Sequence, residues 1–221
     1  MQHFTPHPYQ QAAIDAIIDK PSVGLWMEMG LGKTVVTLTA IDTLIYDAAE
    51  IQRVLVVAPK KVAEATWQDE AQKWDHLQHL RISTVLGTEA QRIAALNTPA
   101  DVYIINRENC YWLVGHYGRH WPFDMVVLDE ASSFKNHAAQ RFKALKAVRP
   151  KIAKVVELTG TPAPNNLLDL WAQIYLLDQG ERLGKYVTHY RQAYFWPTEY
   201  SWEAKDGAGD AIRRKISDLV L

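Results

Sequence analysis

Apolar residues in this chain fall into two alternating textures. Short apolar-rich runs occupy 23–27, 53–58, 82–86, 102–105, 125–128 and 153–158, the second built on Val54-Leu55-Val56-Val57. Runs of that length, with branched side chains and polar or proline-bounded ends, predict strands buried on both faces. Between them, apolar positions recur every three or four residues and predict helices over 33–47, 62–74, 89–96, 107–114, 137–148 and 167–177. Val35, Leu38, Ile41 and Leu44/Ile45 share one face of the first. Trp67, Ala71 and Trp74 line the second, with Asp69 and Lys73 as a surface pair. The last follows Pro162-Ala163-Pro164, with Asn166 as its N-cap and Asp169 three residues on. Strands alternating with helices predict an α/β fold, a mainly parallel sheet covered on both faces. Ligands of such sheets bind at the carboxyl ends of the strands.

The pattern changes near residue 180. Residues 181–206 carry Tyr186, Tyr190, Tyr194, Phe195, Trp196, Tyr200 and Trp202 without a clear period, and are read as irregular. Gly207-Ala208-Gly209 then leads into a helical tail over 211–221, whose apolar positions Ile212, Ile216 and Leu219 call for a partner elsewhere. A boundary at 180 divides the chain into 1–180 and 181–221.

Composition narrows the class. The 221 residues are 48% hydrophobic and 22% charged, ordinary values for a compact soluble domain. No apolar stretch approaches the ~18 residues of a membrane span, and the first residues lack a signal-like pattern, so a cytoplasmic, nucleoid or nuclear setting is expected. A single cysteine, Cys110, excludes an internal disulfide and a multi-cysteine zinc site. Cys110, His116 and His120 are read as packing residues. A net charge of −1 excludes a wholesale basic nucleic-acid binder but leaves a local basic groove open.

The strongest chemical signal is Gly30-Leu31-Gly32-Lys33-Thr34, directly after a strand and opening a helix. Glycines let backbone N–H groups approach phosphate oxygens, and the helix start adds partial positive charge. Lys33 reaches the β/γ-phosphates and Thr34 ligates Mg²⁺. Met27 stands where such loops usually begin with glycine. The second signal is the strand at 125–128 running into Asp129-Glu130, which places Asp129 to hold the nucleotide's Mg²⁺ and Glu130 to polarise water. Alone it is an ordinary solvated strand end; with the phosphate loop it becomes specific. The third, Thr159-Gly160-Thr161 after the last strand, is either a γ-phosphate sensor or a plain turn.

Taken together, Pro8-Tyr9-Gln10-Gln11, Met29 to Thr34, Val57-Ala58-Pro59-Lys60 with Thr66-Trp67, Asp129-Glu130-Ala131-Ser132, Lys135-Asn136 and Leu158-Thr159-Gly160-Thr161-Pro162 resemble superfamily 2 helicase-like ATPases. Pro164-Asn165-Asn166-Leu167, Leu170-Trp171 and Leu176-Leu177 are similar to the Swi/Snf branch. The resemblance spans about 6–180 and implies a three-layer αβα, RecA-like P-loop lobe. It implies that Gln10, with Tyr9 beside it, reads the adenine of ATP, and that Met29, Gly30, Leu31, Gly32, Lys33 and Thr34 hold the triphosphate. Lys33, Asp129 and Glu130 are then the hydrolytic set, with Thr34 and Asp129 on Mg²⁺. It also implies that Ser132, Thr159, Gly160 and Thr161 couple ATP to movement, although relatives carry histidine at the position of Ser132. Lys60, Lys61 and Thr66 fall where relatives touch nucleic acid, and a lysine pair at the sheet's binding edge suits phosphates.

The expected function is therefore the ATP-binding lobe of a Swi/Snf-type DNA translocase or helicase, an ATPase-type hydrolase acting on duplex DNA, with no membrane partner. The family also needs a second RecA-like lobe bearing arginine fingers, for which 181–221 is too short; Arg191, Arg213 and Arg214 sit in no such motif. The isolated chain is expected to be nearly inactive. The rival is a nucleotide-binding interaction module without turnover. A P-loop kinase or other small NTPase would leave Lys135-Asn136 and Thr159-Gly160-Thr161-Pro162 unexplained.

Overall fold

The computed structural model describes residues 2–160 and 167–221. Asn166, expected as an N-cap, and Thr161 lie outside the described residues. Pro8, whose missing N–H is harmless in a first turn, starts helix α1 (Pro8–Asp19). Its stripe of Gln10, Ala13, Ile14 and Ile17 is buried. Lys154 clamps its far end: the buried Nζ donates to the carbonyls of Ile17, Ile18 and Lys20 at 2.9, 2.8 and 2.7 Å.

There follow β1 (Ser22–Trp26), α2 (Lys33–Asp42), β2 (Val54–Ala58), α3 (Trp67–Lys73), β3 (Ile82–Val85), α4 (Glu89–Asn97) and β4 (Val102–Asn106). The order continues with α5 (Cys110–Tyr117), β5 (Met125–Asp129), α6 (Gln140–Val148), β6 (Lys154–Thr159) and α7 (Leu167–Asp178). All six predicted strands form one parallel sheet in the order β1-β6-β5-β2-β4-β3. Alternation along each strand feeds two cores. On β5, Met125 and Val127 join the core under α1, α2 and α3, while Val126 and Leu128 join the core on the opposite face.

Two expected helices are interrupted. The stretch 33–47 turns from α-helix to a π-helical turn at Thr43–Asp47, and 62–74 begins with a π-helical turn, Val62–Thr66, before α3. Such turns carry one residue more than an α-turn and often mark functional sites.

The region read as irregular is ordered. It holds α8 (Val187–Tyr194) and an antiparallel hairpin of β7 (Phe195–Pro197) and β8 (Trp202–Ala204), followed by α9 (Ala208–Ile216). Tyr190 is buried and its hydroxyl donates to the Leu167 carbonyl at 2.6 Å. The partner that Ile212, Ile216 and Leu219 call for is in the chain itself, because all three are buried in the core shared with α7. Residues 219–221 run beside β1, exchanging Gly24 N to Leu219 O (2.9 Å), Leu221 N to Gly24 O (2.9 Å) and Trp26 N to Leu221 O (2.7 Å). No helix among the described residues is long and apolar enough to cross a membrane.

Candidate nucleotide site

The strands end together at one edge, and the predicted motifs meet there. After Trp26 the chain turns through a loop that opens α2 at Lys33. Gly30 (φ +85°) and Gly32 (φ +79°) adopt left-handed conformations that glycine enters without strain. A Cβ on Gly32 would lie 2.6 Å from Nε2 of Gln10. Gln10 is stitched to this loop: its Nε2 donates to the Leu31 carbonyl (3.2 Å), and its Oε1 accepts from the His7 N–H (2.9 Å). Lys33 Nζ donates to the carbonyls of Met27 and Glu28, both at 2.9 Å. Burial lowers the pKa of this ammonium, while the charges of Glu130 and Asp129 resist that shift.

Asp129 closes β5, and its Oδ2 accepts a 2.9 Å hydrogen bond from the indole Nε1–H of Trp67. Burial raises the Asp129 pKa above its ordinary value; the indole bond opposes the rise and the Glu130 charge adds to it. Glu130 has φ +56°, rare for a side chain larger than glycine and a form of strain that clusters at functional sites. Ser132 follows, half-buried, in the 3₁₀ turn Ala131–Phe134. Register joins the third motif to the other two, since Trp26 pairs with Thr159 and Asp129 with Leu158. A Cβ on Gly160 would lie 2.8 Å from Cγ of Met29, so the two loops touch.

A pocket of about 650 Å³ opens beside the loop, lined by Tyr9, Gln10, Met29, Gly30, Gly32, Lys33 and Thr34. Its far wall was not anticipated. His3, Phe4, Glu70, Lys73 and Trp74 complete it, because residue 2 pairs with the end of α3 (Gln2 N to Lys73 O, 3.0 Å) and Phe4 packs edge-on against Trp74 (5.2 Å). Trp74, placed by its spacing on an apolar helix face, is partly buried, with its Nε1–H on Glu70 Oε1 at 2.7 Å. Lys60, Lys61 and Thr66 do not line the pocket. They are exposed along the turn after β2, and Trp67 is the link between that turn and Asp129. Cys110 is buried, which pushes its thiol up to about 12, and His116 stacks on Trp112.

A glycine loop tipped by lysine after β1, an Asp-Glu pair ending β5 and a six-stranded parallel sheet define a RecA-like P-loop lobe of the helicase-like ATPases. The chain belongs to the SNF2-related domain family, which matches residues 19–210. It is 41% identical to protein p41 of Acyrthosiphon pisum secondary endosymbiont phage 1, an alignment covering 100% of this chain and 51% of that protein. It is 29% identical to the mouse DNA excision repair protein ERCC-6-like, covering 88% of this chain and 16% of the relative. The chain thus spans about half the length of the first of these relatives and far less of the second. Its fold matches the Sulfolobus solfataricus SWI2/SNF2 ATPase core in complex with dsDNA, with a TM-score of 0.77 at 24% identity, over 100% of this chain and 46% of that one.

Proposed function

We propose that this chain is the ATP-binding lobe of a Swi/Snf-type motor that couples Mg·ATP hydrolysis to movement along duplex DNA. The observation that carries the reading is the convergence of Lys33, Asp129, Glu130 and the Thr159–Gly160 turn at one sheet edge, beside a pocket walled by Gln10. The residues suit a magnesium nucleotide. Gly32 lets the Gln10 amide lie against the phosphate loop, and a hydroxyl and a largely buried carboxylate are the oxygen donors Mg²⁺ prefers. Thr34 and Asp129 would hold the ion, which neutralises phosphate charge when bound.

In this reading Gln10 and Tyr9 orient the base, the loop N–H groups and Lys33 hold the β- and γ-phosphates, and Glu130 accepts a hydrogen bond from the attacking water and so polarises it. Lys60, Lys61 and Thr66 bear on the nucleic-acid backbone. That the Sulfolobus core was captured with dsDNA supports duplex DNA as the track. A second RecA-like lobe supplies the arginine that in phosphoryl transfer contributes ~10³–10⁵ in rate.

Residues 1–221 alone should therefore bind Mg·ATP and hydrolyse it far below ~1 s⁻¹, the low end of typical enzymes. Phosphate release with and without duplex DNA tests this. Turnover at or above that rate with clear DNA stimulation would show a complete site within the chain. Failure to bind nucleotide at all would remove the reading.

A further inference from the structure

Trp67 sits between two regions to which separate roles fall, and it touches both. The π-helical turn Val62–Thr66, which follows the exposed Lys60 and Lys61 and ends on the exposed Thr66, runs without a break into α3, whose first residue is Trp67. Its indole is fully buried, and its single N–H goes to Oδ2 of Asp129, 62 positions away. β2 and β5 are neighbouring strands, with Val57 beside Leu128, so both ends of this link are anchored in the same sheet.

An indole has one donor and no acceptor. Its bond fixes which carboxylate oxygen of Asp129 faces α3 and leaves the other for the phosphate-loop side. The π-turn makes the link adjustable. It holds an extra residue, and because each residue of an α-helix advances ~100° around the axis, rewinding it to α-helix would swing Trp67 away from Asp129.

We propose that Trp67 is a positioning residue: it orients the Asp129 carboxylate and, through the π-turn before it, makes that orientation responsive to a phosphate backbone resting on Lys60 and Lys61. The proposal rests on the nucleotide reading above. Groups that hold a metal ligand in place typically carry 10–100-fold in metal affinity. Trp67→Phe keeps most of the ring and removes the N–H. It should weaken Mg²⁺-dependent ADP binding by about 10–100-fold and leave ADP binding in EDTA within about twofold. Loss of packing alone would lower both together.

The indole N–H also reports directly. In ¹⁵N spectra, the Trp67 indole signal, assigned by its absence in Trp67→Phe, should move on adding Mg·ADP. It should also move on adding duplex DNA without nucleotide. Lys60→Ala/Lys61→Ala should abolish the DNA response and spare the Mg·ADP response. An unchanged magnesium effect in Trp67→Phe, or an indole signal indifferent to saturating DNA, overturns the proposal. Should Trp67→Phe not fold, the signal is assigned through Asp129→Ala, which must shift it in nucleotide-free protein; no shift there also refutes the link. Should wild type bind no Mg·ADP at all, the nucleotide reading fails instead, while the Asp129→Ala and DNA responses still decide on Trp67.

Discussion

Glu157 offers a sharp test of the energetics, because it is a fully buried carboxyl group inside the sheet. It lies on β6 between Gly24 of β1 and Leu128 of β5, fully buried, and neither oxygen finds a hydrogen-bond partner among the described residues. Gly24 leaves the space beside it to the Trp26 indole, whose Nε1 lies 3.0 Å from where a Gly24 Cβ would be. Arg149 attracts the charge of Glu157 from nearby. Its guanidinium, however, is already bonded to the carbonyls of Leu176, Ile152 and Leu177 and the Ser22 hydroxyl. Burial therefore dominates and raises the Glu157 pKa well above 4.5.

The sign follows. Below the unfolded-state value near 4.5 the carboxyl is protonated in both states and folding is indifferent to it. Above that pH the unfolded chain releases the proton while the folded chain keeps it. Stability then falls by about 1.4 kcal/mol per pH unit for as long as the folded carboxyl stays protonated. Glu157→Gln keeps the shape and cannot ionise, so the other titrating groups cancel in the comparison. Urea unfolding of both proteins at pH 5, 6, 7 and 8 should give a difference that shifts steadily in favour of the variant from pH 5 to pH 8. For a chain of this size, each pH unit of that shift corresponds to roughly 3–5 °C in Tm. Parallel curves would refute the reasoning and mean that the charge of Arg149 keeps Glu157 ionised in the fold.

Lys33→Ala should weaken Mg·ATP binding by about tenfold or more, the worth of a charge-assisted phosphate contact, with an unchanged circular dichroism spectrum; unchanged affinity by calorimetry would reassign the site. Asp129→Asn retains an oxygen for the Trp67 indole but loses the charge, so nucleotide affinity should lose most of its magnesium dependence, checked by titration with and without EDTA. Lys154→Met removes three hydrogen bonds from the end of α1 and should lower stability by about 1–3 kcal/mol in urea titrations. Because α1 carries Tyr9 and Gln10, its nucleotide affinity should fall as well.

Much of the fold is legible because buried parallel strands announce themselves as short apolar-rich runs, and Gly30 to Thr34 is a local motif whose geometry is written in consecutive residues. What the sequence leaves dark depends on distant partners. The hairpin at 195–204 has three-residue strands, too short to display a period of two, and the neighbouring α8 is held by Tyr190 reaching Leu167. The outer wall of the pocket forms only when Gln2 and Phe4 meet the end of α3, some seventy positions along the chain. Trp67 is legible as a buried helix residue, but nothing in its neighbourhood announces that its N–H belongs to Asp129.

The two hydrogen bonds of Lys33 to Met27 and Glu28 have a consequence for ligand choice. The loop is not an open cup; its own carbonyls already occupy the cation that a phosphate would seek. In the proposed nucleotide reading, phosphate oxygens would compete with two carbonyls already in place at 2.9 Å, with the third N–H of the ammonium open to them. A single weakly charged oxygen gains little from such a swap, whereas adjacent phosphates that reach Lys33 and the loop N–H groups together gain on several contacts at once. On that reading the resting lysine favours ligands that offer several phosphate oxygens at once over simple monoanions.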